Sequence, residues 1–282
     1  MSEGLHVRRL VTGDRSRALE YLRARPDENL SLIDYACRLG GTLGPGEVPS
    51  QLYAAFEGER IEAIVALRPS VVFSSGMTDN AQSVLMPLVM RVPSGLIKSE
   101  HKLVNSIWSA LEAAGREAVI DRVEIAYRLR PEAILPADPE LPGVARPARE
   151  EDLEDLIHAA RASLWEEDRP DPSEGDPHGF ERWVRGRLPR ARVVSENGRI
   201  VFVAYADVRS GEGWLVQGVY TWPDFRRRGF ARRGMDSVVR EAFACGAAHV
   251  QLAVVDGNER ALNLYEALGF EAFSELRTIL FH

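Results

Sequence analysis

Cysteine is almost missing from this chain: there are two in 282 residues, Cys37 and Cys245, far apart. That excludes a disulfide-stapled scaffold and a cysteine-rich zinc site, and it fits buried or inert thiols in a reducing compartment. Long apolar runs are missing too. No stretch approaches the ~20 apolar residues of a membrane span. The opening MSEGLHVRRL lacks the apolar core of a secretory signal, so the expected location is cytoplasmic. There is no basic excess: 35 Lys and Arg against 42 Asp and Glu give a net charge of −7, which argues against a general nucleic-acid binder. No G-x-x-x-x-G-K-[ST] occurs, and the glycines are too few for a dinucleotide fingerprint. The glycine-rich GGTLGPG (40–46) follows a helical pattern and reads as a loop. None of the six histidines stands in a ligand-like pair, so no metal is expected.

What is present is a globular composition, 45% apolar and 27% charged, long enough for one large domain or two ordinary ones. The clearest boundary is ILPADPELPGVARPAREED (134–152), with four prolines and few apolar residues. Beyond it the pattern reads β-α-α-β-β-β-α-β-α-β. The helix after Asp152 carries a stripe of Leu153, Leu156, Ile157, Ala160 and Leu164. An acidic, proline-bearing loop follows from Trp165 to Phe180, and then a helix with Phe180, Trp183, Val184 and Leu188 on one face. Asn197-Gly198 marks a hairpin, and HVQLAVV (249–255) a central strand. The first half repeats this plan weakly. It has a hairpin turning at Glu57-Gly58, a helix SIWSALEAAG (106–115) that matches SVVREAFACG (237–246), and a strand RVEIAY (122–127) that matches HVQLAV. The expected fold is α/β, in two tandem domains, 1–140 and 144–282. Each is a mixed, mostly antiparallel twisted sheet flanked by helices.

TWPDFRRRGFARRG (221–234) concentrates the chemistry. A strand delivers the chain to Pro223, and Arg226, Arg227, Arg228 and Gly229 then lead straight into a helix. The first turn of a helix has amides without internal partners, and these with the dipole make an anion site. Gly229 lets the backbone approach closely, and arginines add charge-assisted hydrogen bonds. Pyrophosphate suits such a cradle; a solvated basic turn is the plainer alternative.

RRRGFA fits the [QR]-x-x-G-x-[GA] signature and so resembles the GNAT acyltransferase superfamily, with Arg226, Gly229 and Ala231 at the marked positions. NERALNLYEALGF (258–270) is similar to the last helix of that family, N-x-x-A-x-x-x-Y-x-x-x-G-F, and ARPAREEDLEDL to its first strand and helix. The resemblance covers 144–282, and the tandem arrangement with an altered first copy resembles two-domain members. It implies that main-chain groups of Val219, Tyr220 and Thr221 hold the pantetheine arm of acetyl-CoA. It implies further that the loop amides through Arg227, Arg228, Gly229, Phe230, Ala231 and Arg232 hold the pyrophosphate, with Arg226 heading the signature. Asn258 would contact the cofactor, and Tyr265 would be the general acid for the departing thiolate. The reaction implied is acetyl transfer to an amine. A non-catalytic acyl-CoA sensor, or a different acyl-CoA donor, is the alternative.

The resemblance supplies no general base. Where some members carry a glutamate on the strand before the last helix, this chain has Ala253. Asp256, Glu212, Asp207, Glu166, Glu167 and Asp168 are candidates, each equally readable as an ordinary surface charge. In the first half the equivalent of the arginine loop reads MRVPSGLIKSEHKL (90–103), without an arginine run. That copy is expected to bind coenzyme A poorly and to pack on the second domain, shape the acceptor site or mediate a homodimer. The partners expected are an amine acceptor, no nucleic acid and no membrane.

Overall fold

The computed structural model describes residues 4–44, 47–138, 140, 143–171 and 173–282. Residues 1–3 of the N-terminal reading, 45 and 46 of the glycine-rich loop, 139, 141 and 142 of the linker and 172 of the acidic loop lie outside the described residues. The first half runs β1 (His6–Arg9), α1 (Arg15–Arg23), α2 (Pro26–Cys37), β2 (Gln51–Glu57), β3 (Arg60–Arg68), β4 (Val72–Phe73), α3 (Asp79–Val89), β5 (Gly95–Glu100), α4 (His101–Ala113) and β6 (Ala118–Leu129). The second half runs β7 (Arg146–Pro147), α5 (Leu153–Glu166), α6 (Pro177–Arg187), β8 (Ala191–Glu196), β9 (Arg199–Arg209), β10 (Trp214–Thr221), α7 (Phe230–Ala244), β11 (Val250–Val255), α8 (Glu259–Glu266) and β12 (Glu271–Phe281).

Both halves follow one order of strands and helices, the order read from the second half of the sequence. The register of the repeat is corrected, however. By position in that order α3 corresponds to α7, α4 to α8 and β6 to β12, whereas the sequence reading set α4 against α7 and β6 against β11. Pro87 lies inside α3 and interrupts the helical pattern in the sequence there, while α4 carries an uninterrupted amphipathic one. The counterpart of the arginine loop is therefore Ser74–Thr78, between β4 and α3, and not 90–103. A local side-chain clasp also marks the repeat. Arg8 pairs with Asp14 at 2.7 Å and Arg146 with Asp152 at 2.7 Å, and each aspartate also accepts the amide three residues before it, from Val11 and Arg149.

The halves exchange their last strands. One sheet runs β1-β2-β3-β4, and the other runs β5-β12-β6-β11-β10-β9-β8-β7, with an isolated parallel bridge from Val71 to Ile97 between them. β6 fills the place beside β11, while β12 pairs with β5 and β6. The cores follow. Tyr127 and Leu129 of β6 pack with Val238, Leu252 and Val254, and Ile279 and Phe281 of β12 pack with Leu85, Ile107 and Leu111. Each such side chain removed from water is worth about 1.5–3 kcal/mol, so each half is held partly by the other. The expectation of buried thiols is corrected: Cys37 and Cys245 are both exposed. Partial desolvation nonetheless holds the Cys37 thiol above its usual value. Among the described residues no helix is long and apolar enough to cross a membrane.

Candidate functional site

The site begins where two parallel strands part. β10 pairs with β11 only at Trp214–Val250 and Leu215–Gln251; beyond that β10 pairs with β9 alone and β11 with β6 alone. A register shift between Gln217 and Tyr220, with Gly218 at φ +56°, bends β10 away. Backbone groups on the cleft side of Val219, Tyr220 and Thr221 thus lose a neighbouring strand. The Thr221 carbonyl is taken by Arg226 Nε at 2.8 Å. Tyr220 is buried, and its hydroxyl donates to Glu166 at 3.1 Å. Burial, then the Glu166 carboxylate, pushes its pKa up to about 12.

At the mouth of the cleft lies the arginine loop. Arg227 (φ +58°) and Gly229 (φ +88°) both adopt the left-handed conformation, and Gly229 is the N-cap of α7. Arg233 N is bonded to Gly229 O at 3.0 Å, which leaves the amides of Phe230, Ala231 and Arg232 without a carbonyl of their own helix. The Phe230 ring is buried edge-on against Phe225 at 5.9 Å, so only its backbone can face a ligand. Arg228 lies over Phe225 and Phe230 and 3.3 Å from Glu196. Arg227 and Arg232 are exposed and form no ion pair among the described residues. Arg226 turns inward, with Nη2 2.6 and 2.7 Å from the two oxygens of Glu166. Ala231 is half-buried, and Gly234 one turn on lies against Phe202, where a Cβ would come within 2.5 Å of the ring.

The other arm of the cleft carries α8. Asn258 caps it, its side chain accepting from Ala261 N at 3.2 Å. Tyr265 is buried, with its ring edge-on to Phe270 at 5.7 Å, and its hydroxyl forms no hydrogen bond among the described residues. Burial alone raises its pKa above the ordinary tyrosine value.

The carboxylates read as candidate bases are dispersed. Glu166 is held by Arg226 and Tyr220, and Glu167 by Arg122 at 3.1 Å and Arg169 at 3.0 Å. Asp207 pairs with Arg187 at 2.5 Å and Glu212 with Arg23 at 2.7 Å. Asp168 and Asp256 are exposed. Ala253 faces Ala126 across the β11–β6 ladder. Glu124, which the sequence reading missed, is buried two residues along β6 on that same face. Burial opposes its charge, but Lys98 and Arg122 more than offset this and hold its carboxyl below the usual range. It reaches this sheet only through the strand exchange, so no local signal could have placed it.

Residues 153–270 match the model of the Acetyltransferase (GNAT) family. The chain is 28% identical over 85 residues to the L-ornithine N5-acetyltransferase of Arabidopsis thaliana, a match spanning 30% of this chain and 37% of that enzyme. Its fold is similar to a Drosophila protein solved by X-ray diffraction, with a TM-score of 0.73 at 17% identity, covering 97% of this chain and 98% of the other. It is also similar to a tandem GNAT protein from the clavulanic acid biosynthesis pathway, with a TM-score of 0.55 at 11% identity and coverage of 97% and 98%. Both structural likenesses bear on the fold. Residues 153–270, where the family model and the cleft coincide, form a domain of the GNAT acetyltransferase family.

Proposed function

We propose that residues 144–282 form an acetyl-CoA-dependent N-acetyltransferase domain acting on a primary amine, and that residues 1–140 are its degenerate copy. The observation that carries this reading is the divergence of β10 from β11 beside a helix N-terminus opened by left-handed Gly229. A cleft bordered by unpaired strand edge suits the amide-bearing pantetheine arm, and the α7 amides with Arg227, Arg228 and Arg232 suit pyrophosphate. Val219 and Tyr220 would hold the arm through main-chain groups. Thr221, whose carbonyl is occupied, and Arg226, whose charge is answered by Glu166, would shape the strand and loop. Asn258 would start α8 at the right angle to the cleft and keep its amide nitrogen for the cofactor.

Bound acetyl-CoA supplies an activated thioester carbonyl. Tyr265 would donate the proton that the departing sulfur needs: a phenol of pKa near 10 remains protonated where a thiol of about 8.5 ionises, and burial widens that margin. The ion-paired or exposed state of the carboxylates favours an acceptor that arrives neutral or loses its proton to water. In the first half Arg25 Nη1 would lie 2.5 Å from a Cβ at Gly76, so its side chain fills the space at the counterpart loop. This supports a copy that does not take the cofactor. Calorimetry with acetyl-CoA, followed by thiol release across a panel of amines, tests the proposal. Binding with no amine-dependent thiol release favours a sensor, and absence of binding sinks both.

A further inference from the structure

The turn after α5 borders a second cavity, open to solvent. Asp168 sits at φ +52°, and the amide of Arg169 returns to Leu164 O at 3.0 Å. This places Arg169 on the wall of a cavity of about 320 Å³, with His158, Arg161, Trp165, Glu166 and Asp171. Most of the charge there is already answered. Arg161 pairs with Asp171 at 2.6 Å, and Glu166 with Arg226 at 2.6 Å. Arg169 is the exception. Its Nε lies 3.0 Å from Glu167, yet it is buried without an aligned hydrogen bond. Glu167 also serves Arg122 at 3.1 Å. The outer nitrogens of Arg169 meet no acceptor within hydrogen-bonding distance among the described residues.

The fork of this half-buried guanidinium is turned to solvent rather than to a protein acceptor, and is free to take an anion that enters the cavity. Planar, bidentate geometry favours a carboxylate. Beside it Trp165 is 77% exposed, the most exposed large apolar side chain among the described residues. An indole so placed offers a face for an alkyl chain. Glu166 lines this cavity and bonds to both Tyr220 of β10 and Arg226 of the loop, which sets one wall of the cavity beside the cleft. Its volume lies at the small end of ligand sites, the size of an amino acid.

We propose that this cavity binds the carboxylate of the acceptor, so that the substrate is an amine that also carries a carboxylate, with Arg169 as its anchor and Trp165 against its alkyl chain. The proposal rests on the acetyl-transfer reading, and its test separates the two. Amino acids are compared with the same amines lacking the carboxylate: L-ornithine with 1,4-diaminobutane, and L-lysine with 1,5-diaminopentane. Loss of one charge-assisted bidentate contact should lower kcat/KM by about 10–100-fold for the carboxylate-free member, mainly through KM. Arg169→Gln should erase the difference by raising the amino-acid KM toward that of the diamine, and Arg169→Lys should keep part of it. Equal kcat/KM for both members, or a preference that survives Arg169→Gln, overturns the site while leaving acetyl transfer standing. Calorimetry with the coenzyme A complex gives the converse. Amino acids that bind through Arg169 without being acetylated support the site and sink the transfer. Failure of every amino acid to bind sinks the site.

Discussion

Arg226 Nη2 lies 2.6 and 2.7 Å from the two carboxylate oxygens of Glu166, while Arg226 Nε holds the Thr221 carbonyl at 2.8 Å. One guanidinium thus joins the end of α5, the end of β10 and the start of the arginine loop. The first arginine of a run that looks built for an anion is spent inside the protein. Arg227 and Arg232 remain for a ligand, and Arg228 is shared with Glu196.

Glu166→Ala should therefore change folding stability little, by about 1 kcal/mol or less, because the pair is partly exposed and solvent screens it. It should weaken acetyl-CoA binding about 5–10-fold by releasing the loop. Thermal melting and calorimetry on the same preparation separate the two effects, and a charge-reversed Glu166→Arg, Arg226→Glu pair should recover part of the affinity.

Gly229 sits at φ +88° as the cap of α7. Alanine there is expected to cost about 1–2 kcal/mol in the left-handed conformation. Tryptophan should also cover the helix amides and reduce acetyl-CoA affinity by about 100-fold or more, with circular dichroism unchanged. A Gly229→Trp protein that binds the cofactor normally would remove the loop from the site.

Tyr265→Phe keeps the ring that packs on Phe270 and removes only the hydroxyl. It is expected to lower kcat by about 10²-fold or more while leaving acetyl-CoA affinity intact. The sign of its pH dependence follows from burial. A raised pKa keeps the acid protonated beyond the ordinary tyrosine value of about 10. The kcat profile should therefore show no alkaline fall from this group below pH ~10, which stopped-flow thiol detection would check.

The repeated Arg–Asp clasp makes an acid-stability prediction. The Arg8 hydrogen bond holds Asp14 down at about 2, and the Arg146 hydrogen bond holds Asp152 below the usual range. A depressed folded-state pKa adds stability that is present above the unfolded value near 3.9 and is lost as pH falls toward 2. Asp14→Asn should cost about 1–2 kcal/mol at pH 7, below the full linkage value because Arg8 is half-exposed. It should also flatten the urea-denaturation slope between pH ~4 and ~2.

Exchange of β6 and β12 predicts that residues 144–282 alone will not form a soluble monomer. Without β6, β11 loses its antiparallel partner, and β12 loses both β5 and β6. Exposed edges of this kind aggregate. Gel filtration should find aggregate from the fragment alone, and a soluble complex when residues 1–140 are co-expressed.

Much of the second half was legible because its signals are local. Asn197 (φ +52°) and Gly198 (φ +78°) form the hairpin turn that their side-chain chemistry requires. Gly246 (φ +84°) follows α7 as a stop. The first half was harder to read. Pro87 broke the apparent pattern of α3, and the clasp of Arg8 and Asp14 leaves no trace in hydrophobic periodicity.

The sequence by itself determined the turn at Gly229, the helix it opens and the elements on either side. Those depend on backbone freedom, amide donors and apolar spacing within a few residues. Only the tertiary structure decided that β6 lies between β11 and β12, that Arg226 is spent on Glu166 and that Arg169 faces a cavity with its fork unclaimed. Which charges neutralise one another depends on which strands are neighbours, and that is settled by burial across the whole sheet rather than by any stretch of chain.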